Sequence, residues 1–144
     1  MTLTTSVSTF EFKRIADAAY AGLSCRVSLH MNDGSLTAES TIADWDAKKL
    51  PDADGYADFD VASLPEGGLD SGSDSRWEIG ETPGANTYIE AKFDATGSGY
   101  SYNTVLIRIG SATYPHSILT EAPAITMAGG QSQVYRCQLL IDNV

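Results

Sequence analysis

The sequence predicts a mainly β protein, an antiparallel β-sandwich with one short N-terminal α-helix. Three observations carry this expectation. Apolar and polar residues alternate with period two in most segments after residue 23, as half-buried strands do. Clusters of Gly, Pro, Asn, Asp and Ser punctuate these segments at near-regular intervals. Helical spacing is confined to one stretch near the N-terminus, so there is no βαβ alternation to build a parallel sheet. At 144 residues, with 42% hydrophobic and 19% charged residues, the chain can bury one core. We expect an extended arm over residues 1–8 and a single domain over 9–144.

The helix is expected over 9–21. Ser8 and Glu11 have the spacing of a capping box, and Val7 and Phe12 that of a hydrophobic staple. Phe12, Ile15, Ala16, Ala19 and Leu23 share one face, predicted to be buried, with Lys13, Arg14 and Asp17 outside. Gly22 is placed to end the helix. In "LSCRVSLHM", Leu23, Cys25, Val27, Leu29 and Met31 form a dry face, and Ser24, Arg26, Ser28 and His30 a wet one. In residues 36–50, Ile42, Trp45 and Leu50 suggest a loop or one helical turn over the core.

From residue 55 the chain reads as strands. Ala57, Phe59 and Val61 alternate with Asp58 and Asp60. Residues 65–75 read as a flexible loop, "RWEIG" as a short strand and 82–86 as a turn. Ile89, Ala91, Phe93 and Ala95 alternate with Glu90, Lys92 and Asp94. "YNTVLIRIGSATY" is the longest expected strand; Arg108 is its only charge, so both faces should be covered. A Gly-Gly hairpin signal at 129–130 leads to a closing strand containing Tyr135, Cys137, Leu139 and Ile141.

Composition narrows function. Nineteen acidic against nine basic residues give a net charge of −10, which disfavours nucleic acid and anionic membranes as partners. No run is long and apolar enough for a transmembrane helix. "MTLTTSVSTFEF" lacks the basic and apolar regions of a secretory signal, so synthesis and folding in a cytoplasm are expected. Cys25 and Cys137 form no CxxC pair and read as buried small hydrophobes; a disulfide between them would need an oxidising compartment. No cofactor and no structural metal are expected.

Residues that carry chemistry are sparse. His30 and His116 are expected to be solvated, and no serine lies in a nucleophile elbow. Asp44 with Asp46, Asp52 with Asp54, and Asp58 with Asp60 are paired carboxylates; glycoside hydrolysis needs two about 5–10 Å apart. Asp52 and Asp54 start like a calcium loop, but Tyr56 and Ala57 fall where an oxygen ligand and glycine belong. An irregular calcium site there stays open beside the simpler reading of a turn into a strand. Trp77, Tyr88, Tyr100, Tyr102 and Tyr114 lie near strand ends, where aromatics suit sugar rings or a protein neighbour. Asp58 and Asp60 are expected to meet solvent or a basic patch on the next subunit.

The order of elements resembles small β-sandwich structural proteins of tailed-bacteriophage virions, of the tail-fibre and baseplate type. The resemblance runs through "FEFKRIADAAYAG" into "CRVSLHM", then Gly55–Tyr56, then "FDAT" before "VLIRIGSA". It continues through "SILTEAPAITMAGGQS" to "CQLLIDNV", with a longer stretch at 65–86 than that pattern has. It implies a non-enzymatic virion component, made in the host cytoplasm, that binds other virion proteins and forms homo-oligomers. The alternatives are a carbohydrate-binding or host-receptor-binding module with a host glycan as partner, a capsid decoration protein, or a small hydrolase using paired aspartates. The candidate contact residues are Trp77, Tyr88, Tyr100, Tyr102, Asp58 and Asp60.

Overall fold

The computed structural model describes residues 9–70, 73–79, 89–137 and 140–142, with side chains over 13–67 and 89–137. The chain is mainly β, with antiparallel sheets and one short N-terminal helix. Its contacts cluster into two compact units. The first draws on Met1–Leu23, Ser63–Glu90 and Arg136–Val144, the second on Ser24–Ala62 and Ala91–Tyr135. The expected arm at 1–8, its capping box and the turn at 82–86 lie outside the described residues.

In the first unit, helix α1 spans Thr9–Tyr20. Gly22, at φ 83°, ends it in the left-handed region that glycine enters without strain. The buried face differs from the expected one. Ala16 is buried and Lys13, Asp17 and Tyr20 are half-buried, whereas Ile15 and Leu23 are 49% and 41% exposed and Ala19 is exposed. The reason is polar docking. The Asp17 carboxylate accepts the Gly67 N–H at 2.9 Å and pairs with Lys13, turning this side of the helix inward.

Strand β3 (Gly67–Asp70) lies in the region expected to be a loop, and β4 (Ser73–Ile79) contains the short strand expected at "RWEIG" but starts three residues earlier; β9 (Leu140–Asp142) joins them in an antiparallel sheet of order β3-β4-β9. Glycine, serine and aspartate have low strand propensity, but ladder pairing on both sides of β4 overrides it.

The second unit holds the larger sheet, of order β2-β1-β6-β7. Strand β1 spans Cys25–His30, β2 Phe59–Val61, β6 Tyr100–Ile109 and β7 Ser117–Met127. All neighbours are antiparallel, and the register sets Arg26 opposite both Asp60 and Arg108. Val105 and Leu106, adjacent and on opposite faces, are both buried, so β6 is covered on both sides as expected. The longest strand is β7, because the sequence after His116 rejoins the ladder.

Helix α2 (Ile42–Asp46) is the single helical turn foreseen over the core. Thr41 and Asp44 form a capping box that satisfies its first amides. Ile42 and Trp45 pack on Leu106, with Leu36 and Ile118 beside them. Strands β5 (Ile89–Asp94) and β8 (Ser132–Cys137) pair in a second sheet. Ala91, Phe93 and Ala95 are buried while Glu90, Lys92 and Asp94 are exposed, which is the predicted alternation. Phe93 and Tyr135 meet edge to face, as do Tyr135 and Tyr102, so aromatics join the two sheets as a sandwich.

Three loops lock one end of this unit. Thr96 N–H donates to the Asp54 carbonyl at 2.7 Å and Ser98 N–H to the Asp54 carboxylate at 3.2 Å. Ala95 N–H donates to the Gln131 carbonyl at 2.8 Å and Gly130 N–H to the Ala95 carbonyl at 2.7 Å. Gly99 has φ 73°, and a Cβ there would lie 1.9 Å from the Met127 carbonyl oxygen. We predict that Gly99→Ala destabilises the protein by about 2 kcal/mol or more, from left-handed strain plus the clash. Urea unfolding monitored by circular dichroism checks this; an unchanged midpoint would contradict it.

Candidate functional site

Period two puts Arg26, Ser28 and His30 on one side of β1, and the register sets Arg108, Leu106 and Thr104 opposite them on β6. Helix α2 lies over part of this face. Between them is a pocket of about 190 Å³, walled by Arg26, Ser28, His30 and Arg108 together with Asp46, Lys49 and Asp58. A shallower groove of about 390 Å³ adjoins it, sharing Ile42, Asp46 and Arg108 and adding Thr41, Ser111 and Thr113.

His30 was expected on a solvated face; it is 1% exposed. The segment carrying α2 and Lys49 closes over it, and Trp45 meets its ring edge to face at 5.4 Å. The Trp45 carbonyl can only accept, so Nδ1–H donates to it at 2.9 Å. Nε2 is then left to accept the Ser28 hydroxyl at 2.8 Å. Burial lowers the His30 pKa, only partly offset by the Trp45 carbonyl and nearby aspartates. His116 is exposed, as expected.

Asp58 is the hub of the pocket wall. Its side chain is 10% exposed and binds Lys49 at 2.9 Å, with Arg26 at 3.6 Å. The Tyr56 hydroxyl donates to it at 2.5 Å and accepts the Leu29 N–H at 2.9 Å. Burial, reinforced by this carboxylate, pushes the Tyr56 pKa well up. Asp60 takes Arg26 through two bonds, at 2.7 and 3.0 Å, and this hydrogen bonding lowers its pKa. Both aspartates therefore face cations of their own chain. Tyr56 is buried and Ala57 exposed, against expectation, while Phe59 and Val61 are half-buried and Asp60 exposed, so the expected alternation holds only within β2.

The remaining candidates are dispersed. Asp52 and Asp54 are exposed, and among the described residues no group of three or more His, Cys, Asp or Glu is placed to hold a metal. Tyr102 is fully buried and shares its hydroxyl with Tyr135 at 2.7 Å, which makes it a core residue rather than a contact for glycan. Tyr100 is half-buried and donates to the Asp94 carbonyl at 3.0 Å. Tyr114 is 54% exposed. The Trp77 backbone pairs with Leu69 and Ile141; its side chain and all of Tyr88 lie outside the described residues. Cys25 is buried and Cys137 half-buried, both as thiols. Sequence reasoning missed Lys49, Ser28 and Arg108 as pocket residues. Arg108 had a signal: a lone charge in a strand covered on both faces.

Comparison with protein families, curated proteins and solved structures finds no match.

Two predictions follow from the geometry of the wall. Tyr56→Phe leaves the buried Leu29 N–H unpaired and removes a donor from Asp58, which should destabilise the fold by about 1–3 kcal/mol in urea titration. The second concerns pH. A His pKa depressed by folding contributes stability that is complete above about 6.5 and is lost as pH falls toward the lower folded value. Unfolding midpoints at pH 7 and pH 5 should therefore fall less in His30→Gln than in the parent; equal falls would refute the assignment.

Proposed function

We propose that this chain is a non-enzymatic structural component of a tailed-phage virion, of the tail, baseplate or fibre, acting through protein–protein contacts. The observation that carries this reading is the outer edge of the four-stranded sheet. Among the described residues, β7 pairs only with β6 and leaves its other edge without a strand. It runs 11 residues, with Leu119 48% exposed. A long open edge offers amides and carbonyls to a strand of another chain. The exposed Val134 and Tyr114 add apolar surface of the kind that assemblies cover. The polar groups of the pocket also suit a structural role. The ring nitrogens of His30 and the Asp58 carboxylate are engaged within the chain, and a general acid or base needs to reach a substrate.

Light scattering after size exclusion is expected to give an oligomer, and Leu119→Glu a lower mass. Immuno-electron microscopy of purified particles is expected to place the protein on them. A strictly monomeric protein that is absent from particles would overturn the proposal.

A further inference from the structure

The pocket beneath α2 contains an imbalance that the assembly reading does not use. Three cations line it: Arg26, Lys49 and Arg108. Two have carboxylate partners, Arg26 with Asp60 and Lys49 with Asp58. Among the described residues, Arg108 has neither an ion pair nor a hydrogen-bond acceptor at Nε, although that atom is buried. Guanidinium stays charged in proteins, so this donor cannot be silenced by losing a proton. It also stands directly across the strand pair from Arg26, and like charges in that position repel.

A single bridging water does not explain the space. A water needs about 10–15 Å³ of such a cavity, and the pocket offers about 190 Å³. The adjoining groove shares Arg108 and is lined by the hydroxyl residues Ser111 and Thr113. A planar, forked donor at the junction of a pocket and a hydroxyl-lined groove suits a small oxyanion.

We infer that the pocket binds a small carboxylate or phosphate on the Arg108 guanidinium, with the remainder of the ligand in the groove. The oxyanion accepts from the Arg108 guanidinium and offsets the charge it shares with Arg26. Asp46, on the wall common to both spaces, opposes it and sets a weak affinity for simple ions. This inference stands whether or not the chain assembles.

The test is a titration of the whole protein followed by the Arg side-chain Nε–H signals in nuclear magnetic resonance. The probes are inorganic phosphate and acetate, with chloride at equal ionic strength as the reference. The Arg108 signal is expected to move saturably with phosphate or acetate and not with chloride; the stronger of the two arms identifies the preferred oxyanion. Asp46→Asn should tighten that binding by about threefold or more, because it removes a like charge from the wall. Arg108→Gln should abolish the anion-dependent rise in Tm. If that variant does not fold, the parent titration and Asp46→Asn decide the matter. An Arg108 signal that responds equally to all three anions, or an affinity unchanged in Asp46→Asn, would overturn the inference.

Discussion

The second unit depends on how the edge of β1 is completed after β2 ends. Pairing with β2 stops at Val27 opposite Phe59, two residues before Leu29. The Leu29 backbone would then be buried without partners, at a cost of about 1–3 kcal/mol for each lost bond. The Tyr56 hydroxyl takes its N–H and Leu50 donates to its carbonyl. Tyr56 in turn donates a hydrogen bond to Asp58, and Asp58 holds Lys49, whose backbone bridges His30. One missing stretch of strand is thereby replaced by a tyrosine and the segment 48–50. Helix α2 lies just before that segment, and α2 closes the pocket. The polar wall exists because the ladder needed a substitute.

The ion pairs of this wall differ in weight. Asp58 is almost enclosed, so its contacts act in a medium where hydrogen bonds to charge are strong. The Arg26–Asp60 pair has both side chains about half exposed, and such pairs contribute little. Its role is to direct Arg26 away from Arg108. The turn around Asp52–Gly55 has a structural purpose of the same kind: Asp54 anchors the turn at 95–99.

Much of this was legible in advance. The helix at the N-terminus, the alternation through β5, the covered β6 and the helical turn at Trp45 all follow from spacing, because periodicity reports which side of an element is buried. The errors came where a polar group sat on the dry side. His30 and Ser28 alternate with Val27 and Leu29, and alternation assigns them to water. Asp17 and Lys13 read as the outer side of a helix whose docking is in fact polar. Gly67–Asp70 has the composition of a loop and the pairing of a strand.

By itself, then, the sequence determined the class of fold, the N-terminal helix and the strands that would be apolar, since those depend on neighbours three or four residues away at most. Only the tertiary structure decided that His30 is buried, that Asp58 and Asp60 bind Lys49 and Arg26, and that Arg108 is left as the one pocket cation without an acceptor among the described residues. Those outcomes turn on strand register and on a covering segment distant in sequence. Hydrophobic spacing is blind to both, because it records which residues avoid water and not which charges meet.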